Sequence, residues 1–129
     1  MIMLRYVLLL IFMTTSVNAH EMVPTYPILE SSYMQGLQKT KVTIFNKRPE
    51  VEYYEIGVFT KDWEPIPFVS TYKVFPVPYL STVTVELFIR NVDRNIVTYI
   101  CSKSKLRKSY VTRTAVSSRI CSRVKRLGE

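Results

Sequence analysis

The chain has 129 residues, a formal net charge of +8, one histidine and two cysteines. Three glycines in that length exclude a repetitive or fibrous protein, and a lone histidine excludes metal sites built on several histidines. No internal repeat, low-complexity tract or glycine-rich phosphate loop is visible.

Residues 1–19 read as a cleavable export signal. Arg5 gives the positive start, residues 7–13 are an unbroken apolar run, and Val17, Asn18 and Ala19 end the segment with small residues where signal peptidase accepts them. That run is only about half of the roughly 20 residues a bilayer helix needs, so no stable membrane insertion is expected. Cleavage leaves residues 20–129, beginning at His20, as a single domain. Export points to the periplasm, or alternatively to secretion, and removes nucleic acid from the expected partners.

The remainder has strand signals and no helical periodicity. Residues 41–46 are β-branched and alternating, and residues 51–60 repeat the style. Between them 46–49 reads as a turn, because Pro49 has no amide hydrogen and restricts Arg48 before it. A connection at 61–67 holds Trp63 between Asp62 and Glu64, ahead of Pro65 and Pro67. Trp63 suits an exposed anchor or, more simply, a side chain folded over one end of the domain. Residues 68–75 read as one strand, ended by Pro76 and Pro78. Residues 82–90 alternate most cleanly, with Val83, Val85, Leu87 and Ile89 on one face. A polar turn at 91–95 and strands at 96–102 and 116–124 complete the series. Roughly seven short strands in a domain near 100 residues predict an immunoglobulin-like β-sandwich.

Cys101 and Cys121 fall on the last two predicted strands. In an oxidising compartment an even cysteine count closes its bridges, and two cysteines allow one pairing. An antiparallel hairpin with Cys101 opposite Cys121 places Lys103 opposite Arg119 and centres the turn on Val111, in the basic stretch 107–114. Closing a loop of about 20 residues contributes on the order of 3 kcal/mol. Nine lysines and arginines lie between Lys103 and Arg126 with no acidic residue among them, whereas 50–64 carries five carboxylates. That asymmetry suggests an anionic partner or simply a solvated face.

The runs KVTIFNKRP at 41–49, YEIGVF at 54–59, VFPVPYL at 74–80 and VTVELFIR at 83–90, in this order and spacing, resemble the N-terminal immunoglobulin-like domain of PapD-like periplasmic pilus chaperones. The disulfide is similar to that of the long-loop subfamily. The resemblance implies a non-enzymatic chaperone that lends its last strand edge-on to an incomplete pilus or fibre subunit, with an outer-membrane usher as a further partner. Val116, Ser118 and Ile120 match the positions facing the subunit. Lys125 matches the last-strand lysine that anchors the subunit's terminal carboxylate. Three departures stand out. Residues 29–34 read LESSYM where the first-strand arginine belongs, Ser118 interrupts the apolar donor series, and no second domain is expected after Leu127.

A catalytic reading finds little support. His20 reads as merely the first mature residue, a hydrolase triad lacks its base, and the cysteines are committed to each other. No cofactor or metal is expected. The alternative to the chaperone reading is a cationic secreted sandwich module, a structural subunit or adhesin-like binder of acidic envelope polymers.

Overall fold

The computed structural model describes residues 20–106 and 117–125. Nine strands occupy them: β1 (Glu21–Val23), β2 (Glu30–Ser31), β3 (Leu37–Phe45), β4 (Val51–Phe59), β5 (Phe68–Ser70), β6 (Val74–Pro76), β7 (Thr82–Arg90), β8 (Tyr99–Leu106) and β9 (Arg119–Arg123). The sole helical element among them is one 3-10 turn, Asn91–Asp93. The strands form two antiparallel sheets, β1-β3-β7-β5 with β2 also on β3, and β6-β4-β8-β9. This is the expected all-β, immunoglobulin-like sandwich.

The alternation of side chains builds the core. β3 and β7 pair along nine residues from Leu37 opposite Arg90 to Phe45 opposite Thr82. This register turns Val42, Ile44, Val85, Leu87 and Ile89 inward. From the other sheet Tyr54, Ile56, Val58, Phe75 and Ile100 meet them. Each fully buried aliphatic or aromatic side chain of this size contributes about 1.5–3 kcal/mol relative to exposure. On β4 the inward parity changes between Val51 and Tyr54, because a register irregularity against β8 falls between Val51 and Tyr53. An extra residue at a bulge restores the inward face after the slip.

Two expectations need correction, and two short strands were not expected. Residues 68–75 are two short strands in opposite sheets, β5 on β7 and β6 on β4, joined by a crossing at 71–73. The penultimate strand begins at Tyr99 rather than at residue 96, because the 3-10 turn Asn91–Asp93 is followed by a further turn in which Asp93 carbonyl oxygen accepts from the N–H groups of Ile96 and Val97. The segments β1 and β2, too short to leave a pattern, add pairing to the edge of β3.

The 46–49 segment is a turn whose first residue is a buried hub. Asn46 Nδ2 donates to the carbonyls of Val51 and Val77, while its Oδ1 accepts from Arg48 N–H and from Tyr54 O–H at 2.7 Å. Burial pushes the Tyr54 hydroxyl up to about 12, with Arg48 opposing and Glu50 adding to the shift. Glu50 is held below its ordinary value. Burial alone would raise it, but a backbone hydrogen bond and the ion pair with Arg48 at 2.6 Å outweigh that. No helix among the described residues is long and apolar enough to cross a membrane.

Candidate functional site

β9 is the outermost strand of its sheet and pairs only with β8. Its register is Tyr99 opposite Arg123, Cys101 opposite Cys121 and Lys103 opposite Arg119. The Cys101–Cys121 disulfide joins the two strands across that register, with Cα atoms 4.0 Å apart. The predicted register is therefore observed. The turn between the strands lies outside the described residues, as do residues 1–19, where an export signal is expected.

Alternation on β9 sends Arg119, Cys121 and Arg123 outward and Ile120 and Ser122 inward. Ile120 packs against the core of its own sandwich. Ser118, on the inward side just before β9, is held by its own domain: its N–H donates to Ser104 Oγ at 2.8 Å, and its hydroxyl contacts His20 Nδ1 at 2.8 Å. Val116, the third expected subunit-facing residue, lies outside the described residues.

His20 is the residue whose role sequence reasoning missed. Its ring is 2 % exposed, its second nitrogen lies 2.7 Å from Ser102 Oγ, and its face meets Tyr54 at 4.7 Å. The neutral imidazole donates through one nitrogen and accepts through the other, so both are used. Burial lowers its pKa from 6.5 to about 4; a hydrogen bond with Ser102 works against this and the Arg48 charge adds to it. Two serines beside one histidine suggest nucleophile chemistry, but this histidine is sealed from any substrate. A lone histidine at a predicted cleavage boundary gives no local signal of such packing.

At the far end of β9, Lys125 is exposed and forms a parallel bridge with Ile28, its N–H donating to Pro27 carbonyl oxygen at 2.9 Å. It borders a cleft of about 520 Å³ whose other walls include Ile28, Leu29, Glu30, Arg94 and Val124. The first strand supplies no arginine here, as LESSYM implied. Arg94, following the 3-10 turn, brings a second cation to the same cleft, with Glu30 opposite in charge. Among the described residues no group of three or more His, Cys, Asp or Glu is placed to hold a metal ion.

No protein-family model and no curated protein sequence matches this chain. Solved structures do. A Salmonella enterica SafA pilin in complex with the SafB chaperone matches with a TM-score of 0.63 at 13% identity, over 86% of this chain and 55% of that one. The E. coli chaperone DraB matches with a TM-score of 0.58 at 19% identity, over 83% and 54%. The periplasmic chaperone SfaE matches with a TM-score of 0.52 at 15% identity, over 85% and 58%. The chain thus spans little more than half the length of the structures it matches. At these identities the likeness concerns architecture, and over the greater part of its length this chain has the fold of the PapD-like pilus chaperones.

Proposed function

We propose that this is an exported, periplasmic, non-enzymatic chaperone-like protein of pilus or fibre assembly. It binds an incomplete subunit by offering β9 and the residues before it as an edge strand. The observation that carries this reading is the position of β9: a sheet margin with one side unpaired, riveted to β8 by the Cys101–Cys121 disulfide. An unpaired edge is a template for another chain, and main-chain hydrogen bonds supply the affinity of such additions. Of the expected subunit-facing residues, Ser118 and Ile120 are engaged by their own domain, so main-chain pairing rather than their side chains carries the addition.

Lys125 and Arg94 latch the subunit's terminal carboxylate in the cleft beyond β9, Arg94 standing in for the first-strand arginine. Two cations bordering one recess favour a charge-assisted grip on a single carboxylate. An outer-membrane usher is the second expected partner of the loaded complex. Likeness to SafB, DraB and SfaE supports a chaperone role more than that of a structural subunit.

Co-expression with a candidate subunit and copurification tests the reading. Strand addition survives moderate salt, whereas a purely electrostatic complex dissolves. Lys125→Ala is expected to weaken subunit binding by roughly 10- to 150-fold, the loss of one charge-assisted contact of roughly 1.5–3 kcal/mol. Full binding by that variant rules out the latch, and loss of the wild-type complex in moderate salt rules out strand addition.

A further inference from the structure

The Cys101–Cys121 disulfide lies on the outer face of the four-stranded sheet, and its two halves have different surroundings. Cys101 on β8 is 2 % exposed, whereas Cys121 is exposed on β9, at the sheet margin. Beside Cys101 a cleft of about 350 Å³ is lined by Gly57, Phe59, Trp63, Lys103 and Arg119. On the β4 side the Phe59 ring fills the space over Gly57, the registered neighbour of Cys101, where an added Cβ would fall 2.7 Å from it. Trp63 stacks on Tyr99 at 4.3 Å with 5° between the planes. The Arg119 guanidinium carbon lies 4.8 Å from the Phe59 ring centroid and 4.9 Å from that of Trp63, and Nη2 donates to Cys101 Sγ at 3.7 Å. Planar guanidinium groups favour such stacking, so the rings hold the donor over this sulfur.

Charge on this face is as uneven as cover. Lys103 stands opposite Arg119, and Arg123 opposite Tyr99. Glu55, the neighbour of Lys103 on β4, pairs with Lys105 at 2.7 Å. Among the described residues no carboxylate forms an ion pair with Lys103, Arg119 or Arg123. A cation beside a sulfur stabilises its thiolate, and the more stable thiolate leaves a disulfide faster. Unbalanced positive charge also draws anionic molecules to the margin.

We propose that Cys121 Sγ is a thiol-exchange site for small anionic thiols of the glutathione class, with Cys101 as the leaving sulfur and Arg119 as the group that receives its charge. Exchange depends on which sulfur can be reached, and Cys121 is the open one. The incoming thiolate bonds to Cys121 Sγ while the Cys101–Cys121 bond breaks, and the electron pair of that bond leaves on Cys101 Sγ beside the guanidinium. A second thiolate then attacks the mixed disulfide at the incoming sulfur, so that Cys121 leaves as a thiolate. Two small thiols are thereby oxidised to one disulfide, and the two protein thiolates take up protons from water. The bond opened is the disulfide tie between β8 and the margin strand, whether or not that strand serves a partner.

The test treats the whole oxidised protein with reduced glutathione, quenches with excess N-ethylmaleimide and maps both cysteines by peptide mass spectrometry. Early time points should carry glutathione on Cys121 and maleimide on Cys101. Glutathione on Cys101, or equally on both, overturns the site, as does a bond that no thiol opens in the folded protein. With uncharged mercaptoethanol, Arg119→Gln should slow the first step about three- to five-fold, and Arg119→Lys should restore part of the rate. Melting temperatures check that both variants fold, and a merely loosened strand would react faster instead. An unchanged or faster rate in Arg119→Gln overturns the role of the guanidinium. At low salt the wild type should react about five-fold faster, per thiolate, with glutathione than with cationic cysteamine, and high salt should shrink that ratio. Equal rates overturn the preference for anionic thiols.

Discussion

His20 ties the start of the described chain to both β8 and the approach to β9, and burial keeps its ring neutral. Its folded pKa of about 4 lies below the unfolded 6.5, so between those values the unfolded state binds more protons. The stabilisation is therefore complete above pH 6.5 and is lost as pH falls toward 4, up to about 3 kcal/mol in all. Denaturant midpoints measured at pH 7 and pH 4.5 should differ accordingly. His20→Gln, which keeps hydrogen-bonding capacity without titrating in this range, should show a visibly flatter dependence. Glu50 also destabilises on acidification, because its folded pKa is depressed, and that contribution remains in the variant. An unchanged slope in His20→Gln rules out the role of the imidazole.

At the scale of elements, β9 depends on its neighbour. Its pairing with β8 covers five registered positions, and on the other side no strand among the described residues pairs with it. The disulfide, closing a separation of 20 residues, keeps the strand at the margin when no partner is present. Reduction, or the double substitution Cys101→Ser with Cys121→Ser, should cost about 2–4 kcal/mol. Urea unfolding with and without reductant measures it, and equal midpoints rule out a stabilising tie. In amide exchange the reduced form should lose protection in β9 before β3 or β7, whose nine-residue pairing does not involve the bond.

At the scale of the whole molecule, β4 and β7 are legible in the sequence, β3 and β8 only in part, since 41–46 and 96–102 miss residues 37–40 and 103–106, and the connections between sheets are not. β7 was read to the residue because its alternation is nearly unbroken, and β4 nearly so. The Cys101 and Cys121 register followed from there being one pairing. The division of 68–75 was hidden because residues 71–73 contain neither glycine nor proline, and strand propensity does not record which sheet a strand joins. The Arg119, Trp63 and Tyr99 stack and the His20 contacts join residues far apart in sequence, beyond any local pattern. Likewise LESSYM gave warning of a missing arginine, but only the folded chain brings Arg94 to the cleft beside Lys125.

The crossing at 71–73 joins a marginal strand of one sheet to a marginal strand of the other through the main chain itself. At the opposite margin the two layers meet through His20 with Ser118 and through Ile28 with Lys125. The sandwich is thus bound like a book, with a covalent spine on one side and a clasp of hydrogen bonds on the other. If the covers part, the margin closed only by that clasp, where β9 lies, is expected to open first.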